Sequence, residues 1–120
     1  MVGSRQPLRG EVYLCDFRPA RGSEQGGVRP AVIVERNAFS TVPSKDHVLL
    51  VAVTTNPRSE KLPFCVALEP GKRSGLIRRS YLNASHMHAF SKGRLQKRLG
   101  TLSPEEMSRV DEALRLILDL

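Results

Sequence analysis

The 120-residue sequence contains no tryptophan, two tyrosines and four phenylalanines. So few aromatics argue against a base-stacking platform of the RRM type, which needs aromatic side chains on adjacent strands. No apolar run is long enough to span a bilayer. The opening MVGSRQPLRGE lacks the apolar core of a signal peptide. A cytoplasmic protein with no membrane role is the expectation. Cysteine is equally sparse: Cys15 and Cys65 lie far apart, each in a strand-like apolar run, VYLCDF and LPFCVAL. Two buried, reduced thiols are the expected state, since cytosolic chains rarely keep a disulfide. No Cys or His pair has ligand spacing, so no metal site is expected. The sequence has no GxSxG, no Walker-type phosphate loop, no internal repeat and no low-complexity tract.

Acidic residues are few as well. Twelve stand against 19 Lys and Arg, a net charge of +7. Residues 103–120 hold two basic and five acidic residues, a net of −3, which leaves +10 for residues 1–102. A body this basic suits a polyanion, most simply nucleic acid, although a basic surface without a partner is the bland alternative. Outside the last helix, the acids Glu11, Asp16, Glu24, Glu35, Asp46, Glu60 and Glu69 are scattered. A two-metal nuclease needs clustered carboxylates, so metal-dependent phosphodiester chemistry is disfavoured. No cofactor is implied.

What is present reads as strands first and one helix last, in a single domain over residues 1–120. EVYLCDF (11–17), PAVIVE (30–35), HVLLVAVTT (47–55), PFCVAL (63–68), LIRRSYLN (76–83) and SHMHAF (85–90) are β-rich runs. RNAFSTVPSKD (36–46) reads as a loop, GKRSG (71–75) as a turn, and KGRLQKRLG (92–100) as the place for a short helical turn. Short strands without long helical crossovers argue a small barrel or sandwich. From Ser103 the period changes. Ser103 can cap, Pro104 fits the first helical position, and Glu106 completes a capping box. Met107, Val110, Leu114 and Ile117 then form one apolar stripe.

RGSEQGGVRP (21–30) is the most turn-prone and most polar segment. Its glycines permit positive φ. Pro30 biases Arg29 toward an extended backbone at the mouth of a strand, where the guanidinium could grip a phosphate in bidentate fashion. A plain hairpin with a solvated Glu24 is the other reading. RNA carries its own nucleophile, the 2′-hydroxyl. A base, a cation for the phosphorane and an acid for the leaving 5′-oxygen are enough to cut it.

Asp16-Phe17-Arg18-Pro19, Gly22-Ser23-Glu24-Gln25-Gly26-Gly27 and Arg29-Pro30-Ala31-Val32-Ile33-Val34 together resemble the signature of the MazF/PemK toxins, the endoribonucleases of toxin–antitoxin modules. VAVTTN (51–56), LPFCVAL and SYLNASHMHAFSKGRLQKRLGTLSPEEM are similar to the family's later motifs, in order and at matching spacing. The resemblance runs nearly end to end. It implies a mainly β fold, an SH3-like small β-barrel with a C-terminal helix, shared with CcdB-like toxins, and a homodimer. It also implies sequence-specific, metal-independent cleavage of single-stranded RNA, leaving 2′,3′-cyclic phosphate and 5′-hydroxyl ends. The implied partner is an antitoxin with an acidic flexible segment. Carried over by position, Arg29, Thr54 and Glu24 are the implied catalytic residues: charge stabilisation together with proton transfer for Arg29, a hydrogen bond to phosphate for Thr54, and a base for Glu24. Gln25, Thr55, Asn56, Arg58, Ser85 and His86 are the implied RNA-binding residues.

One departure stands out. Ser85-His86 occupies the place where the family commonly has Ser-Gln, and His88 follows two residues on. On a strand, His86 and His88 share a face, and a histidine there could be an acid, a base or merely a polar replacement. Two other functions stay open at this stage: a CcdB-like, non-nuclease poison of DNA gyrase, and a non-catalytic RNA-binding barrel.

Overall fold

A computed structural model of the chain describes residues 5–19 and 27–120. The elements are β1 (Glu11–Asp16), β2 (Val28–Ile33), α1 (Asn37–Ser40), β3 (His47–Thr54), β4 (Cys65–Leu68), β5 (Ser80–Ser91), β6 (Leu95–Thr101) and α2 (Pro104–Leu118). Short 3₁₀ turns at Pro57–Lys61 and Lys92–Arg94 link β3 to β4 and β5 to β6. All strand pairs are antiparallel, in the order β4-β5-β3-β2-β1-β6. The expected small β fold with a C-terminal helix is therefore present. It differs from a closed barrel in that no strand ladder joins β4 to β6 among the described residues.

The turn expected at 71–75 lies against β6 at that opening. The Thr101 amide donates to the Arg73 carbonyl at 2.8 Å. Two glycines make the approach possible. A Cβ on Gly100 would lie 2.0 Å from the Arg73 oxygen, and one on Gly75, whose φ is +75°, would lie 2.2 Å from the Leu99 oxygen. Any larger residue at either place would force the turn and strand apart.

The sheet buries both faces. Val12, Val32, Val51, Val53, Val66 and Leu82 pack with Val110 and Ala113 of α2. On the other face Tyr13, Cys15, Ala31, Ile33, Leu50 and Ala52 form a second cluster. Alternation along each strand sends neighbouring residues to opposite cores. The capping box at α2 forms as expected: the Ser103 hydroxyl accepts from the Glu106 amide at 3.1 Å, and the Glu106 carboxylate accepts from the Ser103 amide at 3.0 Å. The second Glu106 oxygen accepts from the Glu69 amide at 3.0 Å, which ties the helix start to the chain leaving β4. Of the apolar stripe, Val110 is buried, Met107 and Leu114 pack on the core, and Ile117 lies past its edge, 38% exposed.

The short helical turn expected within KGRLQKRLG forms at Lys92–Arg94, and the rest of the run is strand β6. The pairing of β6 with β1 carries two register shifts, which interrupt the regular ladder. Other sequence expectations need correction. The loop 36–46 contains the four-residue helix α1. Strand begins at Ser80 rather than Leu76, and 80–91 is a single strand. Cys15 is buried and free, whereas Cys65 is free but only partly buried. No helix among the described residues is long and apolar enough to cross a membrane.

Candidate functional site

Arg29 is placed by the β1–β2 pairing, in which it opposes Cys15. The Phe17 amide donates to the Gly27 carbonyl at 2.9 Å and extends that pairing beyond the strands. The half-buried Arg29 guanidinium donates to the Val53 carbonyl and lies 5.7 Å from the centroid of the Phe17 ring. Burial lowers its pKa, but an arginine remains a cation across the whole physiological range. Among the described residues no carboxylate pairs with it. Arg9, Arg18, Arg79 and Arg98 are each held by an acid instead: Asp111, Asp16, Glu60 and Glu11.

Thr54 ends β3 and is buried. Ala31 opposes Ala52 in the β2–β3 register. The carbonyl that Arg29 holds belongs to Val53, the residue before Thr54. The Thr54 hydroxyl accepts from the Asn56 amide at 3.2 Å. This leaves its own proton free to donate.

A pocket of ≈ 220 Å³ opens beside Arg29. Phe17, Arg29 and Ala52 line one side and the Ser85–His88 run of β5 lines the other. A bulge in β5 makes this possible. Val51 faces Met87 while Val53 faces Leu82, so residues 83–86 are set against Ala52 alone. Such an irregularity re-aims side chains that regular pairing would direct elsewhere. Asn83 staples it: its Oδ1 accepts from the Ser85 amide at 3.0 Å and from the Ser85 hydroxyl at 2.5 Å. Ser85 and His86 are consequently exposed on a strand whose residues 80–84 are buried.

The pocket continues into a cationic aromatic wall. His88 stacks on Phe90 with ring centroids 4.6 Å apart, and Phe17 meets both rings edge-on at 5.4 and 5.3 Å. Arg94 sits 4.6 Å from the Phe90 centroid and donates to the Asp16 and Arg18 carbonyls. Hydrogen bonds from Arg18 hold the Asp16 carboxyl down at about 2. No group of three His, Cys, Asp or Glu side chains among the described residues is arranged to hold a metal ion.

The structure thus gathers Arg29, Ser85, His86 and His88 in one pocket and sets Thr54 beside it. Thr55, Asn56 and Arg58 do not line that pocket. Thr55 lines a separate, apolar cleft with Leu14, Pro30, Leu76 and Ile77. Asn56 caps the 3₁₀ turn by accepting from the Arg58 amide at 3.0 Å, and both Asn56 and Arg58 are exposed. Glu24 and Gln25 lie outside the described residues. Sequence reasoning missed Asn83, Phe90 and Arg94. The spacing of Phe90 and Arg94 around a 3₁₀ turn carries no signal, and the bulge that gives Asn83 its task is a tertiary feature.

Residues 8–118 match the family described as the PemK-like, MazF-like toxin of type II toxin–antitoxin systems. The chain is 36% identical over 115 residues to the endoribonuclease EndoA of Bacillus subtilis, covering 93% of this chain and 94% of that protein. Among solved structures it is similar to an endoribonuclease in complex with its cognate antitoxin from a mycobacterial species. There the TM-score is 0.77 and the identity 32%, over 95% and 96% of the two chains. MazF of Deinococcus radiodurans shares the fold, with a TM-score of 0.79 at 23% identity over 96% and 98% of the chains. On the match over almost its whole length, the chain belongs to the PemK/MazF family of toxins of type II toxin–antitoxin systems.

Proposed function

We propose that this toxin is a sequence-specific endoribonuclease acting on single-stranded RNA. The observation that carries the reading is Arg29: a half-buried cation, anchored to the Val53 carbonyl beside Thr54, with its charge unmatched by any described carboxylate and turned to a pocket. In the proposed reaction the 2′-hydroxyl attacks the adjacent phosphate. The products are a 2′,3′-cyclic phosphate and a 5′-hydroxyl. Arg29 stabilises the charge that grows on the phosphorane, and the Thr54 hydroxyl donates to a non-bridging oxygen. Glu24 is the proposed base, a role that rests on the sequence resemblance. The reaction is proposed to need no metal, because the substrate supplies the nucleophile and cationic side chains supply the charge stabilisation.

The protein is further proposed to act as a homodimer in the cytoplasm. Its proposed antitoxin has an acidic flexible segment, for which the net +10 of residues 1–102 is the complement.

Incubating the purified protein with a long RNA in EDTA tests the reading. Discrete fragments with 5′-hydroxyl ends are expected. Intact RNA together with trapped gyrase–DNA complexes would replace it with the gyrase-poison reading, and bound but uncut RNA with the binding-barrel reading. Affinity for RNA is expected to fall steeply as salt rises.

A further inference from the structure

The β5 bulge presents a proton donor to the same pocket that holds Arg29. Leaving-group protonation needs a side chain that can release a proton near neutral pH, within reach of the scissile phosphate. The polar groups lining the pocket are Arg29, Ser85, His86 and His88. Arg29 does not give up its proton. The Ser85 hydroxyl is a weak acid, and its proton is committed to Asn83. The His88 ring is stacked on Phe90 and wedged against Phe17. His86 is different. It is exposed, and among the described residues it has no hydrogen-bond or ring partner. Its backbone is nonetheless fixed by the staple from Asn83 to the preceding residue.

We propose that His86 is the general acid of the cleavage, delivering a proton to the departing 5′-oxygen, with Asn83 as its positioning residue. This rests on the ribonuclease reading above. As the 2′-oxygen forms its bond to phosphorus, its proton passes to the base. The phosphorus–O5′ bond breaks, and its electron pair goes to O5′. The His86 imidazolium gives O5′ its proton, becomes neutral, and is reprotonated from water before the next turnover. Among the described residues, the charged and titratable groups that line the pocket with His86 are Arg29 on β2 and His88 on β5. Arg94 lies behind the aromatic wall, with the Asp16–Arg18 pair beyond it.

The test starts by mapping a cut site in a long transcript with the wild-type protein. Two chimeric DNA oligonucleotides follow, each with one ribose at that site and either oxygen or sulfur at the bridging 5′ position. A thiolate leaves without help from an acid. His86→Ala and His86→Gln are expected to slow the oxygen substrate about 10²–10⁴-fold and to cleave the sulfur substrate within about tenfold of wild type. The alkaline fall of kcat/KM in the wild type is expected to disappear in His86→Gln. Asn83→Ala is expected to lower kcat more than it raises KM, and to be relieved by sulfur too. Equal losses of the two His86 variants on both substrates would overturn the assignment, because His86 would then bind rather than donate. So would an unchanged alkaline limb in His86→Gln. A wild-type protein that cuts no RNA would instead refute the ribonuclease reading itself.

Discussion

The two halves of β5 have the same secondary structure and opposite duties. Residues 80–83 are buried and pair with β4, and Tyr81 and Leu82 pair with β3 as well. Residues 87–91 pair with β3 alone. Between them the bulge breaks the register, and Ser85 and His86 turn to the pocket. The first half is fixed by packing on both faces. The second is released from one neighbour and so has side chains to spend on a ligand. A bulge lets one strand do both, because it uncouples the facing of one half from that of the other.

The division can be broken or sharpened experimentally. In the packed half, Leu82→Ala is expected to cost about 2–5 kcal/mol of stability in denaturant unfolding, while the cleavage rate per folded molecule stays unchanged. A loss of cleavage without a loss of stability would reverse the two roles. Beside the pocket, Arg29→Ala is expected to lower cleavage by about 10²–10³-fold, or about 2.7–4 kcal/mol, with little change in unfolding. A variant that unfolds instead would make Arg29 a structural strut between β2 and β3. Thr54→Val keeps the shape and removes the hydroxyl. The expected loss is about 1.5–3 kcal/mol of transition-state stabilisation, the range for a hydrogen bond to a charged group, read as kcat/KM. Further away, Ser103→Ala removes the cap of α2. It is expected to cost about 1 kcal/mol of stability and to leave cleavage untouched.

Cys15 offers the smallest and most local test. It sits on β1 opposite Arg29, and burial pushes its thiol up to about 12. The folded state therefore favours the protonated thiol. That contribution is complete below about 8.5, where the unfolded thiol titrates, and is lost as pH rises toward 12. At pH 8, iodoacetamide is expected to spare Cys15 until denaturant is added. The partly exposed Cys65, whose thiol burial raises less far, should react first. Rapid labelling of Cys15 in the native protein would mean that the strand beneath Arg29 opens readily.

How far the site was legible depended on how local its cause was. Arg29 and Thr54 were singled out by the family resemblance, in two separate motifs, and the Arg29 guanidinium holds the carbonyl of Val53, the residue before Thr54. Thr55 and Asn56 follow Thr54 in its motif, yet alternation and a 3₁₀ turn carry them off. His86 and His88 were expected to share a face because a regular strand has period two. They do reach one pocket, but the bulge is what turns His86 there and the ring stack is what holds His88.

By itself the sequence determined the order of strands and helix, the capped start of α2, the basic body and the place of Arg29 at the mouth of a strand. These follow from apolar periodicity, capping chemistry, charge and motif spacing, all of which act over a few residues. The tertiary structure alone decided the open edge between β4 and β6, the strand identity of 95–101, the aromatic wall and the exposure of His86. Each of these depends on register shifts and close approaches between segments distant in the chain. Their energies belong to pairs of strands rather than to any single run of residues.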